Sequence, residues 1–161
     1  NAQQFIKEVP YNCDFFSLDI DSFDYAIAHE LFLNGGFRPK TVCVEFTDQF
    51  GPNAIASFPH VPSMPWKTIR KGKLTTSGCS LQKWKLFFEH FNYSYFGFDT
   101  SSTNCFFYNA QELVPAHLEN LPILANADLQ YSDDSKMIEH INHSAAWKPL
   151  VEQMYTSDIG L

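Results

Sequence analysis

Three carboxylates sit where an α/β sheet would expose its ligand edge. Phe15-Phe16-Ser17-Leu18-Asp19-Ile20-Asp21 reads as an apolar strand ending in two acids. Thr41-Val42-Cys43-Val44-Glu45-Phe46 reads as a second strand with an acid near its end. Side chains alternate along a strand, so Asp19 and Asp21 share a face. Ligands of open α/β sheets bind beyond the carboxyl ends of the parallel strands. Asp19, Asp21 and Glu45 are therefore the candidate ligand or metal edge. Their oxygens suit a hard divalent cation or a nucleotide-type ligand. The same two aspartates also suit a structural role, capping the helix that follows and bonding nearby loop backbone.

Other chemistry is sparser. His60, in a proline-rich stretch, is a secondary candidate that could reach the sheet edge as an acid or base, and Asn104, opening the last strand, is another. His140 and His143 are three residues apart and would be neighbours on a helix, but no third ligand lies near them to complete a zinc site. Cys13, Cys43, Cys79 and Cys105 follow no zinc spacing. Cys43 and Cys105 fall inside apparent strands and read as small buried hydrophobes, which points to a reducing, intracellular compartment. Neither a nucleophile-plus-base arrangement nor a phosphate-cradling loop is visible.

These residues need a scaffold, and the apolar periodicity supplies one. Residues 1–13 show no clear period. A strand is expected over 14–20, then a helix over 22–33 whose apolar face is Tyr25, Ala28, Leu31 and Phe32. Asp21 or Ser22 can cap this helix, and Asp24 favours its first turn. Asn34-Gly35-Gly36 ends it, because glycine accepts the left-handed conformation of a helix stop. The second strand covers 41–46. Residues 47–79 hold Pro52, Pro59, Pro62 and Pro65 and cannot form a continuous helix. The far end of this stretch is basic, with Lys67, Arg70, Lys71 and Lys73, and reads as a solvated loop or an anion-docking one. Ser80 caps a further helix with Leu81, Trp84, Phe87, Phe88 and Phe91 facing the core and Lys83, Lys85 and Glu89 on the surface. Tyr95–Phe98 and Asn104–Tyr108 flank a turn-rich segment and read as an antiparallel hairpin. The first two strands should be parallel neighbours, with 103–108 antiparallel to the second. Beyond Asn109, short helices are expected over 133–143 and from Pro149.

Composition supports a packed α/β core: 45% of the 161 residues are hydrophobic and 16 are Phe. Net charge is -7, which argues against non-specific nucleic-acid binding, and no apolar run is long enough to span a membrane. Charge also divides the chain. Residues 1–108 hold nine Lys/Arg and ten Asp/Glu, whereas 109–161 hold two and eight. A half-sheet domain over 1–108 with an acidic, partly helical extension over 109–161 is expected. The first residue is Asn1 rather than Met, which suggests a processed or trimmed polypeptide, so that an organelle remains open as the compartment.

Taken together, these segments resemble the second half of an FkbM-like S-adenosylmethionine-dependent methyltransferase domain. Ser17-Leu18-Asp19-Ile20-Asp21-Ser22-Phe23-Asp24-Tyr25 is similar to that family's fourth-strand motif, and Arg38-Pro39-Lys40-Thr41-Val42-Cys43-Val44-Glu45-Phe46 to its fifth strand. Gly78-Cys79-Ser80-Leu81 and the hairpin through Asn104-Cys105-Phe106-Phe107 resemble its last helix and final strand pair. The resemblance covers residues 14–112 and implies a partial Rossmann-like methyltransferase sheet. In some methyltransferases of this fold, acids at the same strand ends bind a divalent metal. This chain departs from the family in three places. Ser22 stands where glycine usually follows the acidic pair, and both the glycine-rich cofactor turn and the ribose-binding acid have no counterpart before Asp14. The resemblance therefore implies a degenerate, non-catalytic module within a larger protein assembly, with no cofactor held by this chain alone. The alternative is a fragment of an active methyltransferase that binds S-adenosylmethionine once the other half is supplied from upstream or from another chain.

Overall fold

The computed structural model describes residues 2–20, 23–48, 51–58 and 78–112. Their elements are α1 (Ala2–Glu8), β1 (Phe15–Leu18), α2 (Asp24–His29), β2 (Thr41–Glu45), α3 (Leu81–His90), β3 (Tyr93–Phe98) and β4 (Asn104–Asn109). The result is an α/β architecture with one mixed sheet in the order β1-β2-β4-β3. β1 runs parallel to β2, from Phe15↔Thr41 to Leu18↔Val44. β4 lies antiparallel to β2, from Thr41↔Tyr108 to Glu45↔Asn104. The hairpin β3–β4 is antiparallel with a bulge between Tyr95 and Gly97. All three pairings match those expected from the apolar pattern, although β1 is shorter than 14–20 and β3 begins two residues before Tyr95.

Alternation assigns the two faces of this sheet. Phe16, Leu18, Val42, Val44, Cys105 and Phe107 point to one side and are buried there. The helices pack on that side, and their aromatic side chains interlock. Phe88 lies 4.4 Å from Phe107, and Phe32 meets Phe87, Phe88 and Phe91 at 5.3–5.8 Å between ring centroids. Such edge-on and tilted contacts suit the aromatic quadrupole. Ser17, Cys43, Phe96, Phe106 and Tyr108 occupy the opposite face.

Four expectations are corrected. Residues 1–13 are not featureless: α1 forms there because Phe5 and Ile6 have a core to join, with Phe5 against Phe16 (5.8 Å) and Phe37 (5.7 Å). The helix expected from Ser22 starts at Asp24, with Phe23 at its N-cap and no side-chain cap bond. It then widens into a π-helical turn over Glu30–Asn34. The Gly35 N–H donates to the Glu30 carbonyl (3.1 Å) and the Phe37 N–H to that of Leu31 (3.1 Å), while Gly36 takes the left-handed conformation at φ 63° that closes the helix. The Arg38 guanidinium covers this end, donating to the Phe32 and Phe37 carbonyls at 2.7 Å and lying 4.3 Å over the Phe91 ring. Last, Lys83 is not a surface residue. It is 4% exposed, with its ammonium 4.6 Å over the Tyr25 ring. Its position in the first turn of α3 faces α2, so the aliphatic stem packs and the charge rests on an aromatic face.

Apart from Lys83, α3 keeps the expected cap and apolar face. Ser80 Oγ accepts the Lys83 N–H at 3.2 Å, and Leu81, Trp84, Phe87, Phe88 and Phe91 are all buried. All four cysteines are free thiols. No helix among the described residues is long and apolar enough to cross a membrane. The expected helices beyond Asn109, the pair His140 and His143, and the acidic extension past Glu112 lie outside the described residues, as do Asp21, Ser22, His60 and the basic run 67–73.

Candidate functional site

The carboxyl ends of β1 and β2 lie side by side. Past the last pair, Leu18↔Val44, stand Asp19, just after the end of β1, and Glu45, the last residue of β2. Asp19 is exposed, and Glu45 is half-buried. Because β4 is antiparallel, its first residue, Asn104, pairs with Glu45 at this same edge. The end of β3 delivers Asp99 there too. Asp19, Glu45 and the secondary candidate Asn104 therefore lie along one edge, as the strand ends require, whereas Asp21 and His60 fall outside the described residues.

Each group at this edge is held differently. The Glu45 carbonyl accepts the Trp84 indole N–H at 2.8 Å, which fixes the end of β2 onto α3. Asp24, fully buried, accepts the Ile20 N–H at 3.0 Å and so fixes the chain just beyond Asp19. Asp99 organises the β3–β4 turn. Its carboxylate accepts the Thr103 and Asn104 N–H groups at 3.1 Å, the Ser101 hydroxyl at 2.7 Å and the Asn104 amide at 3.1 Å. Partial burial works to raise this carboxyl, but the bonds from Ser101, Asn104 and Thr103 together hold it below the usual carboxylate range. Asn104 therefore acts on Asp99 as a turn organiser. Asp99-Thr100-Ser101-Ser102-Thr103 reads in sequence only as a turn; the available sign of the role of Asp99 is an Asp followed by a run of Thr and Ser hydroxyls, which suits a side-chain-bonded turn.

Cys43 lies two residues back from Glu45, opposite Ser17. Burial pushes its thiol up to about 11; a hydrogen bond with Ser17 opposes this, while the charges of Asp99 and Asp19 add to it. Cys43 should therefore be a poor nucleophile at neutral pH. At pH 8 its thiolate fraction is roughly 200-fold below that of a free cysteine with a pKa near 8.5. Alkylation mapped by mass spectrometry should show Cys43 at least about tenfold slower than a free thiol, because the higher intrinsic nucleophilicity of a high-pKa thiolate offsets part of that ratio, and gaining about tenfold per pH unit between pH 8 and 10. Labelling at the free-thiol rate would refute this placement.

A short ribbon closes the edge beside β2. The Thr47 N–H donates to the Cys79 carbonyl at 3.0 Å, and Ser57 bridges Cys79 antiparallel. Ser80 Oγ also accepts the Ala56 N–H at 3.0 Å. Within the ribbon the Phe58 N–H donates to the Gly78 carbonyl at 3.1 Å, and Gly78 sits at φ 99°, where an added Cβ would come within 3.2 Å of Thr47 Cγ2. Gly78→Ala should cost about 1–2 kcal/mol, the price of a left-handed conformation in an L-residue. Urea denaturation would measure it, and a neutral result would contradict the tight approach of 78 to Thr47.

What the edge can do chemically is limited by these bonds. Asp99 is fully engaged in its turn. Among the described residues, no three His, Cys, Asp or Glu side chains come together in a group that could hold a metal ion; the third carboxylate of the sequence expectation, Asp21, is not among them. No protein-family model, curated protein or solved structure matches this chain.

Proposed function

We propose that the chain is the C-terminal half of an FkbM-like, S-adenosylmethionine-dependent methyltransferase sheet, serving as a non-catalytic module of a larger protein assembly. The observation that carries this reading is the strand order β1-β2-β4-β3, with β1 and β2 parallel across a helical connection and the last strand inserted in reverse between β2 and β3. This is the arrangement expected if β1 and β2 stand for the family's fourth and fifth strands and the hairpin for its final pair. Helices on a single face of the sheet fit the same reading.

One feature favours a module that pairs with another chain. The outer edge of β1 has no strand partner among the described residues, and bare strand edges are templates for pairing with another chain. A partner strand beside β1 is the contact that such a half-sheet needs.

The test is titration calorimetry with S-adenosylmethionine on the purified chain. No binding is expected at concentrations up to about 10 μM, which corresponds to roughly 7 kcal/mol of binding free energy. A dissociation constant at or below that value would overturn the non-catalytic module. The placement of Asp19 and Glu45 at the carboxyl ends of β1 and β2 favours a second reading, a fragment of an active methyltransferase whose cofactor-binding half is upstream or on another chain. On that reading the cofactor binds the protein isolated from its source with all its associated chains, and not this chain alone.

A further inference from the structure

We draw no further inference here: the strongest candidate, the sheet face opposite the helices around Phe96, Phe106 and Tyr108, is an aromatic surface for which nothing among the described residues shows what covers it.

Discussion

Replacing Trp84 with alanine is expected to remove about 3–5 kcal/mol of folding stability. Domains of this size hold only about 5–15 kcal/mol in all, so the variant should lie near the limit of folding. Trp84 is fully buried in α3. Its ring stacks on Phe88 at 5.4 Å and meets Tyr25 at 5.3 Å, so it joins the helix that follows β1 to the helix that precedes the hairpin. Truncation would lose that packing and leave a cavity. It would also remove the indole N–H that the Glu45 carbonyl accepts at the end of β2. Trp84→Phe separates the two effects. It keeps most of the aromatic volume and loses the indole donor, at about 0.5–1.5 kcal/mol for one lost hydrogen bond. Urea midpoints of the two variants against the parent chain provide the check. A loss under about 1 kcal/mol for Trp84→Ala would mean that α3 is not seated on the sheet as described.

The core that Trp84 anchors was legible in the sequence because its signals are local and redundant. Leu81, Trp84, Phe87, Phe88 and Phe91 recur with the period of a helix after a serine cap, and the strands alternate between a buried and an outer face. Parallel pairing of β1 and β2 followed from a helix-length connection. α1 was missed because seven residues give too short a window for periodicity, and Phe5 and Ile6 acquire a partner only once Phe16 and Phe37 are in place. The π-helical turn was missed because it depends on the Gly35 and Phe37 amides reaching back to Glu30 and Leu31. Lys83 was misplaced because a lysine between two apolar helix positions reads as solvent-facing until Tyr25 arrives from another helix to receive its ammonium. At the candidate edge, strand alternation and direction put Asp19 and Glu45 together, whereas Asn104 joins them only through its pairing with Glu45. The role of Asp99 was not visible, since it rests on bonds to Ser101, Thr103 and Asn104 that form only when the turn closes.

The second large effect expected is on assembly. Tyr11, Phe15 and Ile20 are the exposed large hydrophobic residues among those described, at 62%, 55% and 47% exposure, and all three flank or belong to β1. Phe15→Lys with Ile20→Lys should leave folding nearly unchanged, within about 0.5 kcal/mol per surface site. Association through this edge should weaken by about 100-fold or more, since each large apolar side chain contributes roughly 1.5–3 kcal/mol when fully buried and lysine on an edge strand blocks pairing. Analytical ultracentrifugation over a dilution series, with the protein carrying its native partners, reads the change. Association unaffected by both lysines would place the contact elsewhere on the molecule.

Hydrogen exchange along β1 tests the half-sheet reading most directly. The Thr41 N–H donates to the Asp14 carbonyl at 3.0 Å, so by alternation the Phe16 and Leu18 amides face β2, while those of Phe15 and Ser17 point to the open edge. If the proposed partner strand sits on β1, the Phe15 and Ser17 amides of the protein isolated from its source should exchange at least about 100-fold more slowly than unprotected amides, because that strand would take up their hydrogen bonds. Free exchange of those two amides in a stable monomer, with Phe16 and Leu18 still protected by β2, would contradict the assembly module outright.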